Sequence, residues 1–274
     1  MVELKHDALV FSFPEVHRDA ELRVEFLRTP RIPEDDRVYA VPAVGRLPVR
    51  HVQEFAASAS PAWVAREGVM LPLYAGDALR LSFASLWEYP FAVQVAVGRK
   101  DALSGRPWRD RLHYDPQNYL VVPDRQRLDG WSDASRLHQF AGWLANEAPP
   151  DAATEHLTVL LAVHPMSRAA YDRRRRAGAL SSGAASPVCF EGERELDPVP
   201  LQQDIERDPY DFGDWDERRA RCLVYLVSAR GWRAITGSEP PLPPLAPDDY
   251  ARAGIPWLDT YAADAKPYPR QAPL

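Results

Sequence analysis

The sequence predicts an α+β fold that is β-rich, with mostly antiparallel sheets and a few short helices. Apolar runs with β-branched and aromatic character outnumber helix-like segments. In residues 20–32, Leu22, Val24 and Phe26 share one face and charged residues lie between them, which is the period-two pattern of a half-buried strand. The chain lacks the regular strand–helix alternation that is typical of a doubly wound parallel sheet.

The predicted strands are short apolar runs bounded by turn-forming or charged residues. The sequence Ala-Gly-Asp at 75–77 predicts a hairpin turn between two of them. In chain order, the predicted strands are 8–13, 20–32, 37–44, 69–74, 78–83, 91–97, 118–123, 157–163, 187–192 and 222–228.

Short helices are predicted where capping residues accompany a helix-compatible segment. Ser60 is a candidate N-cap, Pro61 occupies the first helical position and Gly68 ends the helix. Residues 131–143 are compatible with either a helix or a strand. The other helical segments are 51–58, 167–178 with Gly178 at its end, and 248–255 with Gly254 near its end.

Two distant segments have similar sequences. FAVQVAVGRKDALSG (91–105) and CLVYLVSARGWRAITG (222–237) each lead from an apolar run into Ala-[Leu/Ile]-[Ser/Thr]-Gly. One interpretation is an internal duplication of a strand–turn–strand unit, with pseudo-repeats at 69–107 and 157–240. The other is that a strand followed by a turn with Gly is common. The path of the chain through both segments distinguishes these interpretations.

Length and composition favour one integrated domain over residues 1–274. The chain has 274 residues, 46% hydrophobic and 26% charged, which is ordinary for a globular protein. Its 27 prolines exceed its 14 glycines, which indicates rigid loops. Residues 239–248 hold five of these prolines, so we expect residues 239–274 to form a C-terminal strap over the domain surface. A PxxP ligand for an SH3-like module is the alternative for this segment.

Charge and hydropathy exclude several classes of partner. The net charge of −6 argues against a nucleic-acid partner, and the basic run RRRR (173–176) is interpreted as a solvated helix end. No window is apolar enough for a transmembrane helix, so we expect no membrane association. The N-terminus has no signal-peptide pattern, and the expected location is therefore cytoplasmic.

Motifs for cofactor and metal chemistry are missing from the sequence. There is no GxGxxG, no GxxxxGK[ST] and no GxSxG, and the seven histidines form no HxH or HExxH pair. We therefore predict no cofactor and no metal site. The missing motifs also argue against an enzyme, without deciding the question.

One acidic stretch, DIERDPYDFGDWDE (204–217), leaves two interpretations open. Its aspartates Asp208, Asp211, Asp214 and Asp216 are oxygen ligands of the kind that Ca²⁺ prefers, although their spacing differs from the DxDxDG calcium loop. The alternative is a series of turns in which Asp side chains accept hydrogen bonds from backbone N–H groups.

Basic and aromatic side chains cluster at the two similar turns. Trp and Arg are the residues most often found as interface hot spots, so these turns are candidate binding surfaces. The alternative is that the turns are structural, with Gly supplying a positive φ and Trp filling the core. The candidate binding residues are Arg99, Lys100, Trp108, Arg230, Trp232 and Arg233.

Several blocks of the chain resemble a family of uncharacterised bacterial proteins. The blocks are YPFAVQVAVG with DALSG (89–105), PQNYLVVPDRQRLDG (116–130), DPYDFGDWD (208–216), WRAITG (232–237) and YARAGIPWLDTY (250–261). Family members usually carry Asn where this chain has Asp101, Trp where it has Arg127, and Tyr-Pro-Met where it has His-Pro-Met from His164. The resemblance implies one integrated domain and carries no activity or catalytic residues.

The sequence thus predicts a non-catalytic binding or scaffold protein that engages a protein or peptide partner. The alternative is an enzyme of unfamiliar, hydrolase-like design that uses the aspartates of 208–216 with a histidine such as His164. A concave pocket that gathers those carboxylates, a histidine and a cation would favour the enzyme. A patch rich in Trp and Arg would favour the binding protein.

Overall fold

The computed structural model describes residues 1–33, 35, 37–133, 136–141, 158–178, 196–200, 203 and 205–257. The strands in these residues are β1 (Val2–Lys5), β2 (Ala8–Ser12), β3 (Glu21–Pro30), β4 (Ala40–Ala43), β5 (Arg50–His51), β6 (Val69–Leu73), β7 (Asp77–Ser85), β8 (Phe91–Val97), β9 (Lys100–Asp101), β10 (Leu120–Val122), β11 (Arg127–Leu128), β12 (Gly130–Ser132), β13 (Leu137–Ala141), β14 (Thr158–Pro165), β15 (Leu196–Pro200) and β16 (Ala220–Ser228). The α-helices are α1 (Pro61–Arg66), α2 (Arg168–Arg176), α3 (Ala229–Thr236) and α4 (Pro247–Arg252), and short 3-10 helices lie at Val52–Phe55, Leu86–Glu88 and Phe212–Asp214.

Two mostly antiparallel sheets form the body of the protein. The first has the strand order β1-β2-β3-β7-β13-β12, and β11 also pairs with β7. The second has the order β10-β8-β14-β16-β6-β5, and β9 also pairs with β8. Its parallel pair is β16 with β6. Strands β4 and β15 make a separate small ribbon. The prediction of a β-rich α+β fold with few short helices is therefore confirmed.

The sheets pack face to face over one hydrophobic core. Alternate residues of β3, among them Leu22, Val24 and Phe26, lie in the same buried cluster as Phe91 and Val93 of β8. The period-two pattern of β3 thus arises because one face of the first sheet meets one face of the second.

The outer face of the second sheet carries a layer of its own. Val52, Trp63 and Trp232 come from a 3-10 helix, α1 and α3, and they pack with Met70 of β6 and Tyr225 of β16. Trp63 stacks on Tyr225 with ring centroids 4.4 Å apart. The helices therefore cover the β6 and β16 side of this sheet.

Most predicted elements lie where expected, with one exception after β16. The ambiguous segment 131–143 contains β12 and β13 in its described part. The turn predicted after the strand at 222–228 is wrong, since residues 229–236 form helix α3. Ser228 caps α3 by accepting a hydrogen bond from the N–H of Gly231, and Gly237 ends it with φ of 72°. The predicted strand at 187–192 lies outside the described residues.

The structure does not confirm the internal duplication. Ala102–Gly105 is a turn after a β-hairpin, whereas the similar residues 234–237 form the end of α3. In the first proposed repeat, β6 and β8 are separated by β14 and β16 in the sheet. In the second, β14 and β16 are antiparallel neighbours. The two segments therefore follow different paths.

Residues after α3 cross to the first sheet. Leu245, Tyr250 and Ile255 pack against Tyr39 and Val41 in a second, smaller cluster. Residues 258–274 of the predicted strap lie outside the described residues. The strap is thus held by apolar contacts along its described part.

A buried ion pair fastens this strap to the sandwich. Arg28 of β3 donates from Nη2 to Asp77 Oδ1 at 2.9 Å, and from Nη1 to the carbonyl of Pro243 at 2.7 Å. Both charged side chains are buried. Arg28 and Asp77 therefore link both strands of the β3–β7 pair to the strap.

We expect Asp77→Ala to lower the free energy of unfolding by about 3–5 kcal/mol, because it leaves the Arg28 charge buried without its partner. Glu3→Ala is the matched control, since it breaks the exposed Lys5–Glu3 pair and should cost less than about 1 kcal/mol. Urea unfolding of the two variants measures both effects. Equal losses would contradict the role given to the buried pair.

Candidate binding surface

The hairpin of β8 and β9 carries the first group of candidate binding residues. Gly98 has φ of 58°, and the chain reverses there so that Lys100 pairs with Val97. The Oδ1 atom of Asp101 accepts hydrogen bonds from the N–H groups of Leu103 and Ser104. These bonds close the turn that Asp101 begins. The turn is therefore a fixed structural element, and it holds the neighbouring basic residues in place.

Residues 99–111, which we name the basic segment, carry exposed cations that have no ionic partner among the described residues. Its basic residues are all exposed. No salt bridge involves any of them within the described part of the chain, whereas Arg28, Arg80 and Arg174 are ion-paired. The exposed cations of the basic segment are Arg99, Lys100, Arg106, Arg109 and Arg111.

Aromatic rings accompany these cations. Trp108 is half-buried, and its backbone N–H donates to the backbone carbonyl of Arg99 at 2.8 Å. The Lys100 ammonium lies 5.7 Å from the ring centroid of Trp131. The three candidates Arg99, Lys100 and Trp108 are thus close together in space.

The second group of candidates is organised differently. Trp232 is only 3% exposed and belongs to the core under α3. Arg233 lies 3.4 Å from Glu239 in a salt bridge, and Arg230 is half-buried. Trp232 therefore acts here as a packing residue, as the structural interpretation of the turn had it. Helix α3 therefore presents less exposed, unpaired positive charge at the protein surface than the basic segment does.

Strand pairing nevertheless places both groups at one end of the second sheet. Strand β14 pairs antiparallel with β8 on one side and with β16 on the other. Strands β8 and β16 consequently run in the same direction. Gly98 and Ser228, which follow or end these strands, lie at the end that we call the upper end.

Two sets of contacts hold the basic segment on the outer face of the second sheet. Gln94 of β8 donates from Nε2 to the carbonyls of Arg109 at 3.3 Å and Arg111 at 3.1 Å. Asp110 lies 2.6 Å from Arg219 Nη2 and 2.7 Å from Arg221 Nη1. The sequence analysis missed these contacts, which join residues far apart in the chain.

Residues 205–217, the described part of the acidic stretch, lie at the opposite, lower end and are engaged in structural contacts. Asp208 Oδ2 accepts hydrogen bonds from Tyr119 Oη at 2.5 Å and Trp215 Nε1 at 2.9 Å. Asp214 is ion-paired with Arg173 and Arg174 of α2, each at 2.6 Å. Asp208 Oδ1 and Asp216 Oδ1 accept hydrogen bonds from the N–H groups of Tyr210 and Arg218, which fits the turn interpretation of the stretch. The RRRR run is part of the same network.

His164 does not share a pocket with these two aspartates. It lies on the outer face of the second sheet, and the charges that act most strongly on it are those of Arg219, Asp110 and Arg221. Burial lowers the pKa of His164 to about 4. The enzyme alternative required a histidine with the aspartates of 208–216. His164 lies next to the backbone of Asp216, whereas the carboxylates of Asp208 and Asp214 are held by Tyr119, Trp215 and the arginines of α2.

A small cavity of about 110 Å³ lies at the lower end, between β10 and residues 205–209. Asp124 and Glu206 are among its lining residues, with Arg125 and Arg207. Burial, together with the charges of Glu206 and Asp208, raises the pKa of Asp124. The cavity is smaller than the ~300 Å³ at which small-molecule pockets usually begin.

Within the described residues, no three or more His, Cys, Asp or Glu side chains are grouped so that they could hold a metal ion. The same residues contain no helix that is long and apolar enough to span a membrane.

Comparisons of the chain with models of protein families, with curated proteins and with solved structures find no match. The resemblance to the bacterial family stays a prediction.

The pH dependence of stability tests the burial of His164. Its pKa is about 4 when folded and 6.5 ordinarily, so the unfolded chain binds a proton that the folded chain does not in this window. Stability is therefore fully present above about pH 6.5 and falls by about 3 kcal/mol towards pH 4. His164→Asn should lose this part of the dependence in urea unfolding at a series of pH values.

Exposed His51 supplies the control for that series. His51→Asn should leave the wild-type pH profile unchanged. A wild-type profile that His164→Asn does not alter would contradict the assignment.

Asp101 supplies a second test, because burial raises its pKa and its buried Oδ2 atom has no hydrogen-bond partner within the residues that the structure describes. Its stabilising contribution is present at low pH, where it is protonated, and is lost as pH rises through the raised pKa. Asp101→Asn keeps the acceptor Oδ1 and removes the charge. We expect a melting temperature about 2–4 °C higher at neutral pH, with the gain disappearing in acid. Calorimetry at both pH values measures this, and a lower melting temperature at neutral pH would contradict it.

Proposed function

We propose that the protein is a non-catalytic binding protein that engages an acidic region of a protein or peptide partner through the basic segment, residues 99–111. The observation that carries the proposal is that five exposed cations lie together in this segment without an ionic partner in the described part of the chain. The chain as a whole has a net charge of −6. A concentrated positive surface on an acidic protein favours a partner of complementary charge.

The aromatic residue in this segment supports a protein partner. Trp108 is half-buried and lies against the backbone of Arg99. Trp and Arg together are the residue types that contribute most to binding energy at protein interfaces. Charge alone would attract any anion, whereas the indole ring adds an apolar surface against which a peptide chain can pack.

The fixed conformation of the segment supports the same proposal. Gln94 and Asp110 fasten it to the sheet, and Asp101 closes a turn within it. A surface that is already ordered loses less conformational entropy when it binds. The partner therefore meets cations in fixed positions.

The hydrolase-like alternative is less well supported. Asp208 and Asp214 are engaged by Tyr119, Trp215 and the arginines of α2. A carboxylate that is buried and satisfied in this way is a poor general base, because it must first give up its hydrogen bonds.

The test is a comparison of two charge-reversal variants of the full chain. The first combines Arg99→Glu, Lys100→Glu and Arg106→Glu. The second combines Arg175→Glu and Arg176→Glu, which are exposed residues of α2 at the lower end. Each variant is immobilised at equal density, and binding of the partner that co-purifies with the wild-type protein from its native host is titrated at two salt concentrations.

We expect the first variant to weaken binding by about 100-fold or more and to abolish its salt dependence. The second variant should change the affinity less than about threefold. Melting temperatures within about 3 °C of wild type establish that both variants are folded. Equal effects of the two variants, or an effect of the second alone, would refute the proposal.

A further inference from the structure

Strand pairing creates an ordered set of side chains on the outer face of the second sheet, beneath the basic segment. Gln94 of β8 is opposite Ala162 of β14, and Ala162 is opposite Arg221 of β16. These three residues form one row across the sheet. Paired residues of neighbouring strands face the same side, so all three side chains lie on the face that carries the basic segment.

A second row lies two residues away on the same face. His164 of β14 is opposite Ala92 of β8, and Arg219 comes one residue before β16. The charge of Arg219 acts directly on His164. Ala162 is next to Gln94 in the first row and Ala92 is next to His164 in the second, so each of these two polar side chains has a small neighbour in its row.

Gln94 and His164 each have a buried polar atom that has no hydrogen-bond partner in the described part of the chain. These atoms are Gln94 Oε1 and His164 Nε2, and their residues are 0% and 6% exposed. The orientation of the Gln94 amide is set, because Nε2 donates to two carbonyls and Oε1 is therefore the free acceptor. An unpartnered buried polar atom is costly, which indicates that something fills this position.

The free nitrogen of His164 is also an acceptor. The backbone of Asp216 interacts with the ring and acts to raise its pKa, which is the effect of a carbonyl oxygen facing a ring N–H. We assign the proton of the neutral ring to Nδ1, because Nε2 is buried without a hydrogen-bond partner among the described residues, and Nε2 then carries a lone pair. Both unpartnered atoms thus require a hydrogen-bond donor.

Beside these acceptors, two arginines already hold a carboxylate. One oxygen of Asp110 lies 2.6 Å from Arg219 and the other lies 2.7 Å from Arg221. The Asp110 side chain is 48% exposed, so this carboxylate is open to exchange with one from solution. The site therefore combines a carboxylate position with two neighbouring acceptors.

We propose that these two rows form a binding site for a small carboxylic acid that carries a hydroxyl or ammonium group on the adjacent carbon. The ligand carboxylate replaces that of Asp110 between Arg219 and Arg221. An ammonium group donates hydrogen bonds to both Gln94 Oε1 and His164 Nε2, whereas a hydroxyl group, which has one hydrogen, donates to one of them. Asp110 occupies the carboxylate position when no ligand is bound.

Asp110→Ala opens the site, and three small acids serve as probes. Glycolate supplies a carboxylate and a hydroxyl, glycine supplies a carboxylate and an ammonium, and acetate supplies the carboxylate alone. Asp172→Ala is the matched control, because Asp172 is another exposed aspartate close to an arginine, Arg168. Binding is followed by calorimetry and by the ring signals of His164 in ¹⁵N NMR, in the absence of any protein partner.

We expect Asp110→Ala to bind glycolate or glycine with a Kd of about 1 mM and at least tenfold more tightly than wild type or Asp172→Ala. Acetate should bind at least fivefold more weakly, because it satisfies neither acceptor. The stronger of glycolate and glycine identifies which donor the site takes. The Nε2 signal should shift with the binding isotherm.

A second variant separates the two parts of the site. Gln94→Met in the Asp110→Ala background should reduce glycolate or glycine binding to the level of acetate. If this variant does not fold, the Nε2 shift of Asp110→Ala gives the same information. Binding of acetate equal to that of the other probes, or no binding of any probe at about 10 mM, would overturn the proposal. Neither result bears on the protein partner, whose test uses other residues.

Discussion

The pairing of strand β14 with its two neighbours is the constraint on which the rest of the structure depends. Strand β14 lies between β8 and β16 and pairs antiparallel with both. Its alternate residues Val159, Leu161 and Val163 are fully buried in the core between the sheets. Because the side-chain period of a strand is two, this burial fixes the register, and a slip of one residue would turn the core side chains outwards.

That register determines what lies outside the core. Because β8 and β16 both pair antiparallel with β14, they run in the same direction and finish at the same end of the sheet. The same register places the side chains of Gln94, His164 and Arg221 on one outer face. The basic segment then has a floor to which it is fastened, through Gln94 and Asp110. The surface that we assign to the partner is therefore a consequence of strand pairing inside the sheet.

Part of this could be predicted from the sequence. Period-two and apolar runs predicted β3, β7, β8, β14 and β16 closely, because each buries one face against the core. Local capping residues predicted α1 and α4. These signals are confined to a few neighbouring residues, which a single sequence displays.

Other features depend on residues far apart in the chain, which no local pattern displays. Asp214 pairs with Arg174 and Asp110 with Arg219, and each pair joins separate segments. Helix α3 was missed because Gly231 and the resemblance to 98–105 favoured a turn, whereas burial of Trp232 against the sheet stabilises a helix. Whether a Trp is buried in the core or exposed at an interface likewise depends on tertiary packing.

Lysine-directed cross-linking of the protein bound to its partner tests the central claim most directly. The sequence contains three lysines, Lys5, Lys100 and Lys266, and Lys100 alone lies in the basic segment. The account predicts that Lys100 forms the dominant cross-link, next to acidic residues of the partner, and that this cross-link disappears at high salt. Dominant cross-links at Lys5 that persist at high salt, with none at Lys100, would place the partner on a different surface and contradict the account.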